Sequence, residues 1–144
     1  MNDNKHVVAT FVEELWNERN LEVADSIFDE DCHTHQLQSG SSVVAVPRGP
    51  AAIKAHATDW LSAFLDLKFT VEQMFTDGDR VISQLPMDGT QTGQWMGIPP
   101  TGKTVAVPFC AIFTFTDDDR LKSEIVYNDR LSLLSQLGIV NLPG

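Results

Sequence analysis

The spacing of apolar and polar residues changes once along the chain, from helical to strand-like. Val8, Phe11, Val12, Leu15 and Trp16 fall on one stripe within residues 5–18, with Glu13, Glu14 and Glu18 off it, which predicts an amphipathic helix. After a break at 17–20, Leu21, Ala24, Ile27 and Phe28 make the inner face of a second, short helix, ended by Asp29, Glu30 and Asp31. Residues 32–37 read as a short strand and 38–48 as a loop. A third helix is expected over 49–64, with Pro50 in its first turn and Ile53, Ala57, Trp60, Leu61 and Phe64 facing the core.

From Leu67 onward the period becomes two. Residues 68–76 and 80–92 are predicted strands joined by the Asp77-Gly78-Asp79 turn. Pro86 lies inside the second strand and cannot donate to a ladder, so an edge, bend or bulge is expected there. After a turn-rich loop at 93–103, residues 104–116 are apolar on both faces, as in a strand covered on both sides. Asp117-Asp118-Asp119 is a solvated turn. The last strand, opening at Leu121, runs without a linker into a helix carrying Leu131, Leu133, Leu134 and Leu137 and stopped by Gly138. Helices followed by an antiparallel meander make a single α+β domain over residues 1–144. A curved antiparallel sheet wrapped against N-terminal helices would form a cone whose apolar interior suits a small molecule.

Composition narrows the function classes. At 144 residues and 42% apolar, the chain can bury one core. A formal net charge of −10 argues against nucleic acid and anionic membrane surfaces as partners. The start, MNDNKHVVATF, lacks the basic and apolar regions of a signal peptide, and no apolar run could span a membrane, so a cytoplasmic location is expected. Cys32 and Cys110 are expected as buried free thiols.

Few residues invite chemistry. Asp129 stands at the strand-to-helix junction, on the strand face of Ser123, Ile125 and Tyr127. It can be read as the helix N-cap, or as an acid/base group at the rim of an apolar pocket. His33 and His35 share a face, and one of them could line the pocket. With no HExxH motif or cysteine cluster, no metal is expected. Gln91 could give a pocket hydrogen bond, and Tyr127 and Trp95 could form part of an aromatic wall.

The order of elements, the phrase WNERNLEVADSIFDEDCHTH, the loop GIPPTGK and the ending IVYNDRLSLLSQLG resemble the SnoaL-like polyketide cyclases of the NTF2-like superfamily, over nearly the whole chain. The resemblance implies a cone-shaped α+β barrel and a cofactor-free intramolecular aldol condensation that closes a ring in a polyketide-like substrate. It places the family's catalytic aspartate at Asp129 and a frequent family histidine at His35. The family's Gly-Thr-His-x-Gly motif reads Gly89-Thr90-Gln91-Thr92-Gly93 here, and Gln91 cannot titrate as a histidine can. Met87 and Asp88 stand where a small and a basic residue are common. The alternatives are another reaction of the same fold (hydroxylation-type, isomerase or hydrolase) or non-catalytic binding of a small molecule. The doubly apolar strand leads us to expect a homodimer or homotetramer.

Overall fold

The computed structural model describes residues 4–37, 43–45 and 49–143. Helix α1 (Asn4–Thr10) continues as a π-helical stretch (Phe11–Asn17), in which Glu18 N donates to Glu13 O. This winding buries Phe11, Val12, Leu15 and Trp16 together. At its end Asn17 donates to Phe69 O and accepts from Phe69 N, pinning the helix to the sheet. A 3-10 turn (Leu21–Val23) leads into α2 (Ala24–Ile27) and directly into β1 (Phe28–Leu37). β1 thus includes the acidic triplet expected to end the helix. The expected loop at 38–48 contains a short strand, β2 (Val43–Ala45), paired with β1; its other residues lie outside those described. Helix α3 (Pro50–Ala63) begins after Gly49, whose φ of +94° favours glycine.

Each of the three long strands expected after Leu67 divides into two. The first becomes β3 (Lys68–Phe69) and β4 (Gln73–Asp77). The second becomes β5 (Arg80–Gln84) and β6 (Met87–Thr90), parted at Pro86. The third becomes β7 (Thr104–Val107) and β8 (Phe109–Phe115), parted at Pro108. β9 (Leu121–Asn128) and α4 (Arg130–Gln136) complete the chain as expected.

The proline breaks bend the strands from one sheet into another. β2-β1-β9-β8-β5-β4 form a six-stranded sheet, and β3-β6-β7 a three-stranded one. At the corner, Thr70 N donates to Pro86 O and Leu85 N to Phe109 O, so backbone groups stay paired through the bend. The result is the α+β cone, with one refinement: β1 runs parallel to β9, so the curved sheet is mixed.

Candidate functional site

A bulge decides which face of β9 looks into the cone. Phe115 pairs with Leu121 but Thr114 pairs with Ser123, so the register shifts at Lys122. An extra residue inverts the alternation beyond it. Leu121 therefore points inward, and so do Glu124 and Val126, which are buried. Ser123, Ile125 and Tyr127 lie on the outer face, opposite to the inward placement expected for Asp129's row.

Glu124 is 6% exposed, among the most buried polar residues of the chain. It lines a narrow cavity of about 30 Å³, room for roughly one water molecule. Phe11 and Trp16 from the π-helical stretch, His56 and Trp60 from α3, and Phe109 from β8 line it too. Burial pushes the Glu124 carboxyl up to about 7, while a 3.2 Å hydrogen bond donated by Thr34 Oγ1 pulls the other way. Burial also holds the His56 imidazole below its usual value; Asp59 opposes this and the charge of Arg130 adds to it. A raised carboxyl and a neutral imidazole in an aromatic wall can together accept, hold and return a proton near neutral pH.

One end of this wall is closed by Trp95 from the loop after β6. Its indole lies 5.3 Å from Trp60 and 6.2 Å from Phe64 between ring centroids. Trp95 is thus part of the aromatic enclosure, although it does not border the small cavity itself.

The other predicted residues are not gathered here. Asp129 is exposed and caps α4, its Oδ1 accepting from Ser132 N at 2.9 Å. Together with Tyr127, Pro86 and Pro108 it borders an open groove of about 460 Å³ on the outside. Tyr127 is 41% exposed. Gln91 is fully buried, but its amide is spent on the loop that follows. Nε2 donates to the carbonyls of Gly93, Ile98 and Pro99, and Oε1 accepts from Thr101 N and Oγ1. In this geometry it holds the loop carrying Trp95. His33 is half-buried and pairs with Ser123 on the outer face of the sheet. His35 has its backbone in β1, opposite Ile125 and Ala45; its side chain lies outside those described. Cys32 is buried and Cys110 half-buried, both free thiols, with Cys32 pushed up to about 11 by burial.

Glu124 and His56 were not singled out from the sequence. His56 had a signal, since it falls three residues after Ile53 and four before Trp60 on the apolar stripe of α3. Glu124 had none, because its inward placement depends on the bulge.

Among the described residues no helix is long and apolar enough to cross a membrane. The single α+β cone with a titratable, aromatic interior is an NTF2-like fold. The profile of the SnoaL-like polyketide cyclase family matches residues 6–137, and the chain belongs to that family. A candidate SnoaL-like polyketide cyclase from Jannaschia sp. CCS1 superposes with a TM-score of 0.82 at 22% identity, covering 96% of this chain and 93% of that one. A candidate polyketide cyclase from Acidithiobacillus ferrooxidans gives 0.80 at 25% identity, covering 94% of each. AclR, a candidate hydroxylase from Streptomyces galilaeus, gives 0.80 at 22% identity, covering 98% of this chain and 89% of that one. No protein with a curated description matches the chain.

Proposed function

We propose that the chain is a cofactor-free cyclase that closes a ring in a small, hydrophobic, polyketide-like substrate by intramolecular aldol condensation. The observation that carries this reading is the buried Glu124 carboxyl, raised to about 7, in the aromatic interior. A carbon between two carbonyls loses its proton to this carboxylate. The enolate carbon then forms the new C–C bond at a second carbonyl carbon, and the alkoxide produced there takes the proton back from the carboxyl. Neither step needs a metal or an imine-forming lysine. The cavity is far smaller than such a substrate, so binding requires the aromatic wall, Trp95 included, to part.

A second reading keeps the family's position, Asp129, as the acid/base group. The open groove beside it, roughly fifteen times larger than the cavity, favours that reading. Turnover of an aromatic poly-β-carbonyl methyl ester separates the two when wild type is compared with Glu124→Gln and Asp129→Asn. Loss in Glu124→Gln alone supports the interior site. Loss in Asp129→Asn alone moves the chemistry to the groove. Binding without turnover by wild type would favour a carrier.

We also infer a homodimer formed through the outer face of the large sheet. Phe75, Ile82, Ile112 and Ile125 sit in one cross-strand row from β4 to β9, an apolar band on the side away from the helices.

A further inference from the structure

Resting on the reading of the cone interior as a small-molecule site, we propose that Arg130 and Asn128 bind an anionic oxygen of the ligand, a carboxylate or the enolate of a 1,3-dicarbonyl. Asn128 continues the inner-face alternation of β9 beyond Glu124 and Val126, stands opposite Phe109, and with it borders the open groove at the end of the strand, outside the small cavity. Both polar atoms of its amide are buried without a hydrogen-bond partner, and so is Arg130 Nε. Arg130 Cζ lies 5.2 Å from the centre of the Trp95 ring, and its charge reaches His56. These contacts place the guanidinium at the Trp95 end of the aromatic enclosure.

Two other half-buried arginines show what an arginine with only a structural role does in this chain. Arg19 donates to the carbonyls of Trp16, Asn17 and Leu65. Arg120 donates to those of Asp25, Ser26 and Phe28. Arg130 instead makes a weak contact from Nη1 to Met96 Sδ at 3.4 Å. No carboxylate pairs with it among the described residues, in a chain with net charge −10. A partly desolvated guanidinium and a buried amide left without partners are costly in the free protein. A planar oxygen anion would satisfy both, because the guanidinium presents a fork of donors and the amide adds another. In the proposed reaction the same pair would hold the oxygen on which the enolate charge rests, further along the face of β9 that carries the carboxyl.

The test is calorimetric binding at neutral pH and low ionic strength, with no turnover required. The probes are 2-naphthoate for the carboxylate, 2-acetyl-1,3-indanedione for the enolate, and neutral 2-naphthamide as the shape control. Wild type is expected to bind at least one anion about tenfold or more tighter than the amide, and which anion tells the two sources apart. Arg130→Gln is expected to lose that preference while keeping its affinity for the amide. Equal binding of anions and amide by wild type would overturn the inference and leave the cyclase reading standing. A preference that survives in Arg130→Gln would overturn it as well. If Arg130→Gln does not fold, Asn128→Leu decides: a several-fold loss of anion binding with amide binding unchanged is expected, and no loss overturns the inference. Failure of wild type to bind any of the three would overturn both this inference and the interior site.

Discussion

Thr34 on β1 and Glu124 on β9 sit opposite each other in a parallel pair, and the threonine hydroxyl donates a 3.2 Å hydrogen bond to the buried carboxylate. Among the described residues it is the hydrogen bond that supports the charged form of Glu124, and burial outweighs it.

The protein should therefore lose stability as the pH rises from about 4.5 to about 7. In the unfolded chain Glu124 titrates near its ordinary value of 4.5, and in the folded chain near 7. Below the lower value both states are protonated and there is no penalty. Between the two, the unfolded state releases its proton first, so unfolding becomes easier as pH rises. Above the folded value the penalty is complete, at about 3 kcal/mol from this group. Glu124→Gln keeps a polar partner for Thr34 and removes the ionisation. Urea titrations at pH 5, 7 and 8.5 should show the wild type weakening relative to this variant chiefly between pH 5 and 7, with little further change at 8.5. Parallel behaviour of the two proteins would contradict the burial assigned to Glu124.

Gln91, half-way along Gly89-Thr90-Gln91-Thr92-Gly93, closes the following loop with five hydrogen bonds from its amide. Gln91→Ala would remove the donor to the Gly93, Ile98 and Pro99 carbonyls and the acceptor for the Thr101 amide and hydroxyl. A loss of roughly 2–4 kcal/mol is expected in chemical denaturation, with faster hydrogen exchange in the loop that carries Trp95. Gln91→Glu should be nearly as damaging, because it turns a donor to three carbonyls into an acceptor. A stable Gln91→Ala protein with normal loop protection would show that the amide does not hold the loop.

The legible and illegible parts of the sequence separate along physical lines. Helix α3 follows from an apolar stripe and a proline start, and the β4–β5 hairpin from Asp77-Gly78-Asp79, because these signals are local. The tension at Pro86 also pointed to a bend. Its consequence, strands that change sheet and close the cone, depends on partners far along the chain. Pairing of β1 parallel to β9 is likewise non-local, and neither strand records it in its own pattern. The site was harder still. Taking Leu121 as an inward residue and counting by twos leads to Tyr127 and Asp129, whereas the bulge at Lys122 hands the interior to Glu124 and Val126. A one-residue shift in register thus reverses which carboxylate faces the apolar core.

Asp129 permits a separation of capping from chemistry. Asparagine is about as good an N-cap as aspartate, and alanine is much poorer. Asp129→Asn should therefore keep the bond from Ser132 N and change stability by less than about 0.5 kcal/mol, whereas Asp129→Ala should cost roughly 1 kcal/mol. Thermal or urea unfolding of both variants checks this. If the interior carboxyl carries the reaction, Asp129→Asn also retains turnover, and any activity lost in Asp129→Ala follows its lower stability.

The outer face of the large sheet gives a prediction about assembly. Phe75 pairs with Ile82, Ile82 with Ile112, and Ile112 with Ile125, so one register line carries apolar side chains across four strands. Phe75 is 54% exposed, and the three isoleucines are half-buried. Joining two such faces would remove this band from water, at about 25 cal/mol per Å² of apolar surface covered. Ile112 lies in the middle of the row and its side chain points away from the core. Ile112→Asp should therefore leave the fold intact by circular dichroism while placing a charge at the centre of the interface. Light scattering after size-exclusion chromatography should give a dimer mass for wild type and a monomer mass for this variant. A monomeric wild type at tens of micromolar concentration would remove the interface, and a variant that stays dimeric would move it to another face.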